Sequence, residues 1–344
     1  MTRIERRAFS LALDSPLSTA AGEIDRREGI AIRVGDDPRG VGEATPLPGW
    51  TESFEGCRTA LSGVSESDPR AALADLDGRP ATRHGLSLAI ADREARRAGV
   101  PLYRHLGGKR RVERLAVNAT VGDGSIEETV EAATNAIAEG FETIKCKIGS
   151  RPLDEDLERV RAVYDAVSDV ALRLDANGAW DRREADRALD ALANLDVEYV
   201  EQPLPADDVA GHRALAGGPV PIALDETLAD RSPDGIDSLV DAADVLVLKP
   251  MALGGPDRTL DIGRRMQDEG LGIVITTTID AVIARTGAIH VAAALDVERA
   301  CGLATADLLE EDIGTDPATV RDGKIAVPQA AGLGTDGPWG GGDA

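Results

Sequence analysis

Lysine is scarce in this chain. Five occur in 344 residues, Lys109, Lys145, Lys147, Lys249 and Lys324, and every other basic residue except the four histidines is arginine. Cysteine is nearly as rare. Cys57, Cys146 and Cys301 lie far apart with no CxxC, which argues against a disulfide framework and against a zinc site. Positive charge is short overall, with 38 basic against 61 acidic residues and a net charge of −23. A field of that sign repels nucleic acid and anionic membrane, so neither is an expected partner. Runs of about 18 apolar residues, the length of a membrane span, are missing. The start of the chain, with Arg3, Glu5, Arg6 and Arg7 and then an early Asp14, makes a poor secretory signal, and the cytoplasm is the expected location. A solvated acidic surface with little lysine suits a protein that stays soluble at high salt, as in a halophile. The alternative is an unusually acidic cytoplasmic enzyme.

Against that scarcity, two lysines stand one residue apart in TIKCKIG, residues 143–149. The stretch reads as a strand, so Lys145 and Lys147 share one face and Cys146 takes the other. Two cations on one buried face repel and lose hydration. Lysine is also the base whose pKa burial can bring into a catalytic range.

Residues 1–48 read as strands, with RREGIAIRV (26–34), a DDPRG turn and VGEATPL forming a hairpin pattern. PLPGW (46–50) is a loop, and Thr51–Glu52 is a candidate cap for the helices of 53–107. From about residue 115 short β-branched runs alternate with helical stretches. Strands are expected at 115–121, 143–149, 170–178, 197–203, 221–227, 245–250, 272–278 and 301–307. Ser125, Glu128 and Gly140 bound one of the intervening helices. Eight strands, each but the last followed by a helix, predict an α/β fold: a (β/α)7β variant of the TIM barrel behind a small N-terminal α+β unit. The expected division is 1–108 for that unit, 109–312 for the barrel and 313–344 for a return to the N-terminal unit. A doubly wound sheet is disfavoured, because VGDGS after the first strand is too short for a dinucleotide loop.

Polar residues end successive strands: Lys145 and Lys147, then Asp175 in LDANG, Glu201 in VEQP, Asp225 in LDE and Lys249 in LKP. The acids and Lys249 are spaced by 26, 24 and 24 residues, one βα unit each. A barrel gathers such strand ends around one mouth. An Asp or Glu at a strand end is, taken singly, more often a cap. Three converging carboxylates need a cation between them, and an all-oxygen set favours a hard ion such as Mg²⁺, with Mn²⁺ second. Lysines on both sides of that ion suit removal of a proton next to a carboxylate. A small carboxylate is therefore the expected substrate. Oligomeric state is not readable from these patterns.

KCK, LDANG, EQP, LDE and LKP, in this order and at these intervals, resemble the enolase superfamily, specifically its muconate-lactonizing subgroup. The resemblance covers nearly the whole chain and implies that the 1–108 unit is a capping domain. It implies Asp175, Glu201 and Asp225 as Mg²⁺ ligands, with Lys147 and Lys249 facing each other across the substrate and Lys145 assisting. Asn177 and Glu226 then stand beside the ligands as supports. Mandelate-racemase-type members place a histidine on strand seven. Here that strand reads IVITTTID, and His84, His105, His212 and His290 are expected to serve packing. GEATPLPGWTES (42–53) is similar to the GE-x-x-PLPG-(aromatic)-(Ser/Thr)-x-E pattern of o-succinylbenzoate synthases of menaquinone biosynthesis. That places Trp50 over the mouth. TTT (276–278) resembles the family's Ser-rich end of strand seven, which implies Thr276, Thr277 and Thr278 at the substrate's succinyl carboxylate. The chain departs just after, at Asp280–Ala281, where the family usually has Glu-Ser. The implied reaction is a syn-dehydration giving an aromatic product. Racemisation of N-acyl amino acids, dipeptide epimerisation and muconate cycloisomerisation are the alternatives within the superfamily. Dipeptide epimerases usually carry Asp-x-Asp after strand eight, and ATADLLEED offers Asp307 without that pairing. A non-catalytic barrel would lack one of the five groups, and none is missing.

Overall fold

A computed structural model describes residues 3–19, 22–65, 68–167, 170–229 and 231–340. The chain opens with an antiparallel sheet of β1 (Ile4–Thr19), β2 (Gly22–Val34) and β3 (Gly40–Ala44). Helices α1 (Phe54–Ser62), α2 (Pro80–Ala98) and α3 (Leu102–His105) follow. Ile30, Ile32, Val34 and Leu86 form the apolar layer between sheet and helices. The approach of α2 to β3 is close enough that a Cβ on Gly42 would run into the Gly85 carbonyl oxygen, so glycine is required there.

The capping pattern after the PLPGW loop differs from the one expected. Ser53 caps α1, accepting from the Gly56 N–H at 3.2 Å. Glu52 instead accepts from the Ala81 and Thr82 N–H groups at 3.1 and 2.8 Å, at the start of α2. The reason lies in α2 itself: it begins at Pro80 and its preceding residue, Arg79, provides no side-chain acceptor. Thr51 closes the loop, its Oγ1 accepting from the Leu47 N–H at 2.8 Å.

The run 115–121 divides in two. Its first part is β4 (Arg114–Ala116) and its second is β5 (Ala119–Val121). Helices and strands then alternate: α4 (Ile126–Ala138), β6 (Thr143–Lys147), α5 (Leu153–Ala166), β7 (Ala171–Asp175), α6 (Arg182–Leu192), β8 (Val197–Glu201), α7 (Val209–Leu215) and β9 (Ile222–Leu224). Next come α8 (Pro233–Asp237), β10 (Val245–Leu248), α9 (Pro250–Leu253), α10 (Pro256–Asp268), β11 (Gly272–Ile275) and α11 (Val282–Leu295). Complete capping boxes start α4, at Ser125 and Glu128, and α6, at Asp181 and Glu184.

Strands β5 to β11 form one parallel sheet in sequence order. The expected eighth strand at 301–307 is reduced to two bridges, Val117 with Cys301 and Thr276 with Gly302. Their hydrogen bonds still join the two edges: Asn118 N–H donates to Cys301 O at 3.1 Å and Gly302 N–H to Ile275 O at 2.9 Å. Beyond them Ala304, Thr305 and Ala306 provide little strand-forming surface, and the chain turns at Ala306–Leu308. A last hairpin, β12 (Val320–Arg321) and β13 (Lys324–Ala326), pairs with β4 rather than with the N-terminal sheet. Its turn residues Asp322 and Gly323 both have positive φ, 50° and 63°. Farther on, Leu333 packs with Ala31, Val41 and Leu88, and Trp339 stacks under Arg7 and Arg33 of the sheet. Among the described residues no helix is long and apolar enough to cross a membrane.

Asp92 ties these parts together. It is buried and accepts from Val41 N–H, Leu333 N–H and Arg96 Nε at 2.8, 2.7 and 2.9 Å. Burial raises its pKa to about 6 despite those donors. A carboxyl whose folded pKa lies above its unfolded one binds more protons when folded. Its contribution to stability is therefore present below about pH 4 and is lost as pH rises through about 6. Urea titrations should show the advantage of wild type over Asp92→Asn narrowing across that window; a widening gap would contradict the assignment.

Candidate active site

Alternation along β6 sends Lys145 and Lys147 into the ring of strands and buries Cys146 among Ile144, Leu174 and Val200 outside it. Pairing then sets the rungs. Lys147 lies opposite Asp175, and Asp175 opposite Glu201, so three of the expected groups share one level at the carboxyl ends of β6, β7 and β8. Asp225 and Lys249 follow directly after β9 and β10.

Lys145 Nζ donates to Asp175 Oδ2 at 2.9 Å and to Glu201 Oε1 at 3.1 Å. Lys147 Nζ donates to the same Asp175 oxygen at 2.8 Å and to Asn177 Oδ1 at 2.9 Å. Across the mouth Lys249 Nζ donates to both Asp225 oxygens, at 2.7 and 2.5 Å. The indole of Trp50 lies over this ammonium, 3.5 Å from Nζ to the ring centroid. The two outer lysines differ in access: the Lys147 side chain is 36% exposed and that of Lys249 11%.

The acids are all buried. Burial pushes Asp175 up, but Lys145 and Lys147 outweigh it and hold the carboxyl well below the usual range. Burial and the Asp175 charge raise Glu201 to about 7, against Lys145. Burial also raises Asp225 to about 6, with Lys249 opposing and Glu226 adding to the rise. Lys145 goes the other way: burial lowers it, and the charges of Asp175 and Glu201 carry it well above its ordinary value. It is a fixed cation.

Three buried carboxylates on adjacent strand ends, two of them raised by burial that the lysines do not fully offset, are a donor set suited to a hard divalent ion. Glu226 adds a buried Oε2 without a partner. As placed, the carboxylates turn toward the lysines, and among the described residues no three acidic, histidine or cysteine side chains form a ready-made cage.

Asn177 and Glu226 form a relay to Lys147, with Asn177 Nδ2 donating to Glu226 Oε1 at 2.8 Å. The three threonines after β11 are engaged within the protein. Thr276 Oγ1 donates to Gly302 O, Thr277 shares a hydrogen bond with Thr305, and Thr278 donates to Asp280. Asp280 is buried at 2% exposure, away from solvent. The histidines serve packing. His84, His212 and His290 are buried against backbone partners, and His105 pairs with Glu94.

One residue that sequence reasoning passed over is Gln202, in the EQP motif. Its Oε1 accepts from the Asp225 and Thr227 N–H groups at 3.0 and 3.1 Å, and its Nε2 donates to Thr227 Oγ1 and Leu204 O. It therefore aims Asp225. Non-glycine residues with positive φ also ring the mouth: Asn177 at 44°, Gln202 at 42° and Ile279 at 59° follow β7, β8 and β11. Such strain gathers where a site is held in shape by its surroundings.

Residues 128–337 match the family described as enolase C-terminal domain-like. The chain belongs to this family and is an enzyme of the enolase superfamily. Within it, the chain falls in the muconate-lactonizing subgroup. L-Ala-D/L-Glu epimerase of Bacillus subtilis (strain 168) is 30% identical over 351 residues, covering 96% of this chain and 95% of its own. The o-succinylbenzoate synthase of Thermobifida fusca (strain YX) is 37% identical over 221 residues, covering 62% of this chain and 67% of its own. The solved dipeptide epimerase of Methylococcus capsulatus, complexed with Mg and the dipeptide L-Arg-D-Lys, superposes with a TM-score of 0.87 at 27% identity. That match covers 97% of this chain and 98% of the other.

Proposed function

We propose that this protein is a Mg²⁺-dependent o-succinylbenzoate synthase of menaquinone biosynthesis, a hydro-lyase. In this reading it is a (β/α)7β barrel (109–312) under a capping domain (1–108), with 313–344 returning to the cap. The observation that carries the reading is the inequality of the two outer lysines. Lys147 is the more exposed and bonds one Asp175 oxygen and the neutral Asn177, whereas Lys249 is enclosed between both Asp225 oxygens and the Trp50 ring. One accessible lysine opposite one enclosed lysine suits a syn-elimination. A racemase needs a working base on each face.

The substrate is 2-succinyl-6-hydroxy-2,4-cyclohexadiene-1-carboxylate. Lys147 takes the proton next to the carboxylate, and the C–H electron pair moves into the carboxyl group as an enediolate. That pair then returns to form the ring double bond and expels the neighbouring hydroxyl. The hydroxyl leaves as water with the proton from the Lys147 ammonium, so the base is regenerated. Asp175, Glu201 and Asp225 would hold Mg²⁺, which supplies Lewis-acid stabilisation for the second negative charge. Lys145 and Lys249 stand on either side of that set.

A second reading, dipeptide epimerisation, draws on the relatives matched along their whole length. It needs an anchor for a substrate ammonium. Asp307 is exposed, and Thr305, two residues before it, spends its hydroxyl on Thr277. The test gives the enzyme Mg²⁺ and the cyclohexadiene substrate and follows the aromatic product, while L-Ala-L-Glu in D₂O is followed for α-deuterium. Turnover of about 1–10³ s⁻¹ on the first and no exchange on the second is expected. The reverse result removes the dehydratase reading.

A further inference from the structure

Arg27 and Glu43 lie outside the ring of strands, yet both are buried and both bond the segment that follows β11. Arg27 of β2 is 3% exposed, and it spends its guanidinium on carbonyls alone. It donates to Thr45 O at 2.9 Å, Pro46 O at 3.1 Å and Ile279 O at 3.2 Å. Glu43 of β3 is fully buried and accepts from Ala281 N–H at 2.8 Å, Ala284 N–H at 2.9 Å and Thr45 Oγ1 at 2.5 Å. Those two amides begin α11, whose own cap residue, Ala281, has no side-chain acceptor. An acid from another part of the chain thus satisfies the helix start, where negative charge is favoured.

Two loops are fixed by this pair. One is the Thr45–Trp50 loop, which ends with the indole over Lys249. The other is the turn 276–281, which carries the strained Ile279. Strain at a β-branched residue persists only when its neighbours impose it. Here the neighbours are Arg27 on the Ile279 carbonyl, Glu43 on the next turn of chain, and Arg285, which donates to Asp280 O at 3.1 Å. Asp280 sits within the clamp, its carboxylate accepting from Thr278 Oγ1 at 2.5 Å and its carbonyl from Arg285.

The turn lies next to the Lys249 strand end, beyond the arc occupied by the reacting groups. The lysines and carboxylates of β6 to β10 take the reacting carboxylate. The remaining arc, from β11 to the 301–305 segment, is left for the rest of the substrate. We infer that Arg27 and Glu43 are positioning residues: by locking the turn 276–281 against the Trp50 loop, they set the affinity for the part of the substrate remote from the reacting carbon. The location of that part rests on the proposed function; the clamp itself does not.

Arg27→Lys and Glu43→Gln keep size and replace the forked contacts with poorer ones. Hydrogen exchange of the substrate-free protein tests the clamp. Amides of 276–285 should exchange about tenfold faster in either variant, while those of 143–149 stay unchanged and report an intact barrel. Kinetics on the cyclohexadiene substrate with Mg²⁺ test the consequence. KM should rise about tenfold with kcat within about threefold, the pattern of lost uniform binding. Unchanged exchange at 276–285, or a fall in kcat at constant KM, overturns the inference. A wild type without dehydratase activity defeats the proposed function instead, and the exchange result still judges the clamp. If one variant fails to fold, the other carries the test.

Discussion

Lys147→Ala is expected to lower kcat by about 10⁴-fold, at the upper end of what one positioned base contributes, while Mg²⁺ affinity changes little. The expectation follows from how the three site lysines are held. Lys145 lies between two carboxylates, Lys249 between a carboxylate and an indole, and both are surrounded on the sides they present. Lys147 alone combines an open flank with a neutral partner, Asn177, on its other side. In the proposed dehydration the base needs that freedom, because it would approach the α-proton and then swing toward the leaving hydroxyl. The charge of Lys147 also offsets Asp175, so a loss of rate on alanine substitution could have an electrostatic origin. Lys147→Arg separates the two causes. Arginine keeps the charge but does not deprotonate in a protein, so it should be as inactive as alanine if proton transfer is the role. Substrate turnover and Mg²⁺ titration by calorimetry on both variants decide the matter. An arginine variant with a tenth or more of wild-type kcat would remove Lys147 as the base.

How much of this was legible in the sequence depends on the range of the interactions involved. The strand period alone puts Lys145 and Lys147 on one face, and the βα spacing alone lines up Asp175, Glu201, Asp225 and Lys249. Both are local periodicities, and the pairing of Lys147 with Asp175 and of Asp175 with Glu201 reproduces them. No local pattern marks the work of Gln202, which is to hold a backbone N–H 23 residues away. Arg27 and Glu43 were harder still. Their partners lie 252 and 238 residues along the chain, and no local pattern marks a buried guanidinium that bonds only carbonyls. The departure at Asp280–Ala281 was visible, but its sense was not. Only the packed structure shows that Ala281 leaves a helix start to be satisfied by Glu43. The eighth strand stops short of the expected 301–307 because Ala304 and Ala306 give little strand-forming surface beyond the two bridges. Thr51–Glu52 was read as a local cap because sequence adjacency hides that Glu52 serves a helix starting 28 residues on.

Lys145→Met should have the largest effect on stability, and it tests the metal site without relying on turnover. Methionine keeps most of the side-chain length and removes the charge. Asp175 then retains Lys147, but Glu201 loses the one ammonium that bonds it among the described residues. Removing one partner of a buried ion pair costs about 3–5 kcal/mol, because the remaining charge is stranded. Glu201 is already raised to about 7 with Lys145 in place, so the variant has little with which to offset a second ionised carboxylate. In EDTA the unfolding free energy from urea titration should therefore fall by about that amount. Mg²⁺ should reverse most of the loss. A divalent ion held by Asp175, Glu201 and Asp225 would neutralise the Asp175 and Glu201 oxygens that Lys145 serves, and binding to the folded state alone would stabilise it by mass action. The stabilisation by Mg²⁺ should accordingly be larger in the variant than in wild type. This comparison discriminates between two accounts of the carboxylates. If they are metal ligands, the ion and Lys145 act on one charge cluster and their effects are coupled. If they are structural partners of the lysines, Mg²⁺ stabilises both proteins equally or neither. Equal stabilisation would leave the three carboxylates as ion-pair partners and remove the metal from the mechanism.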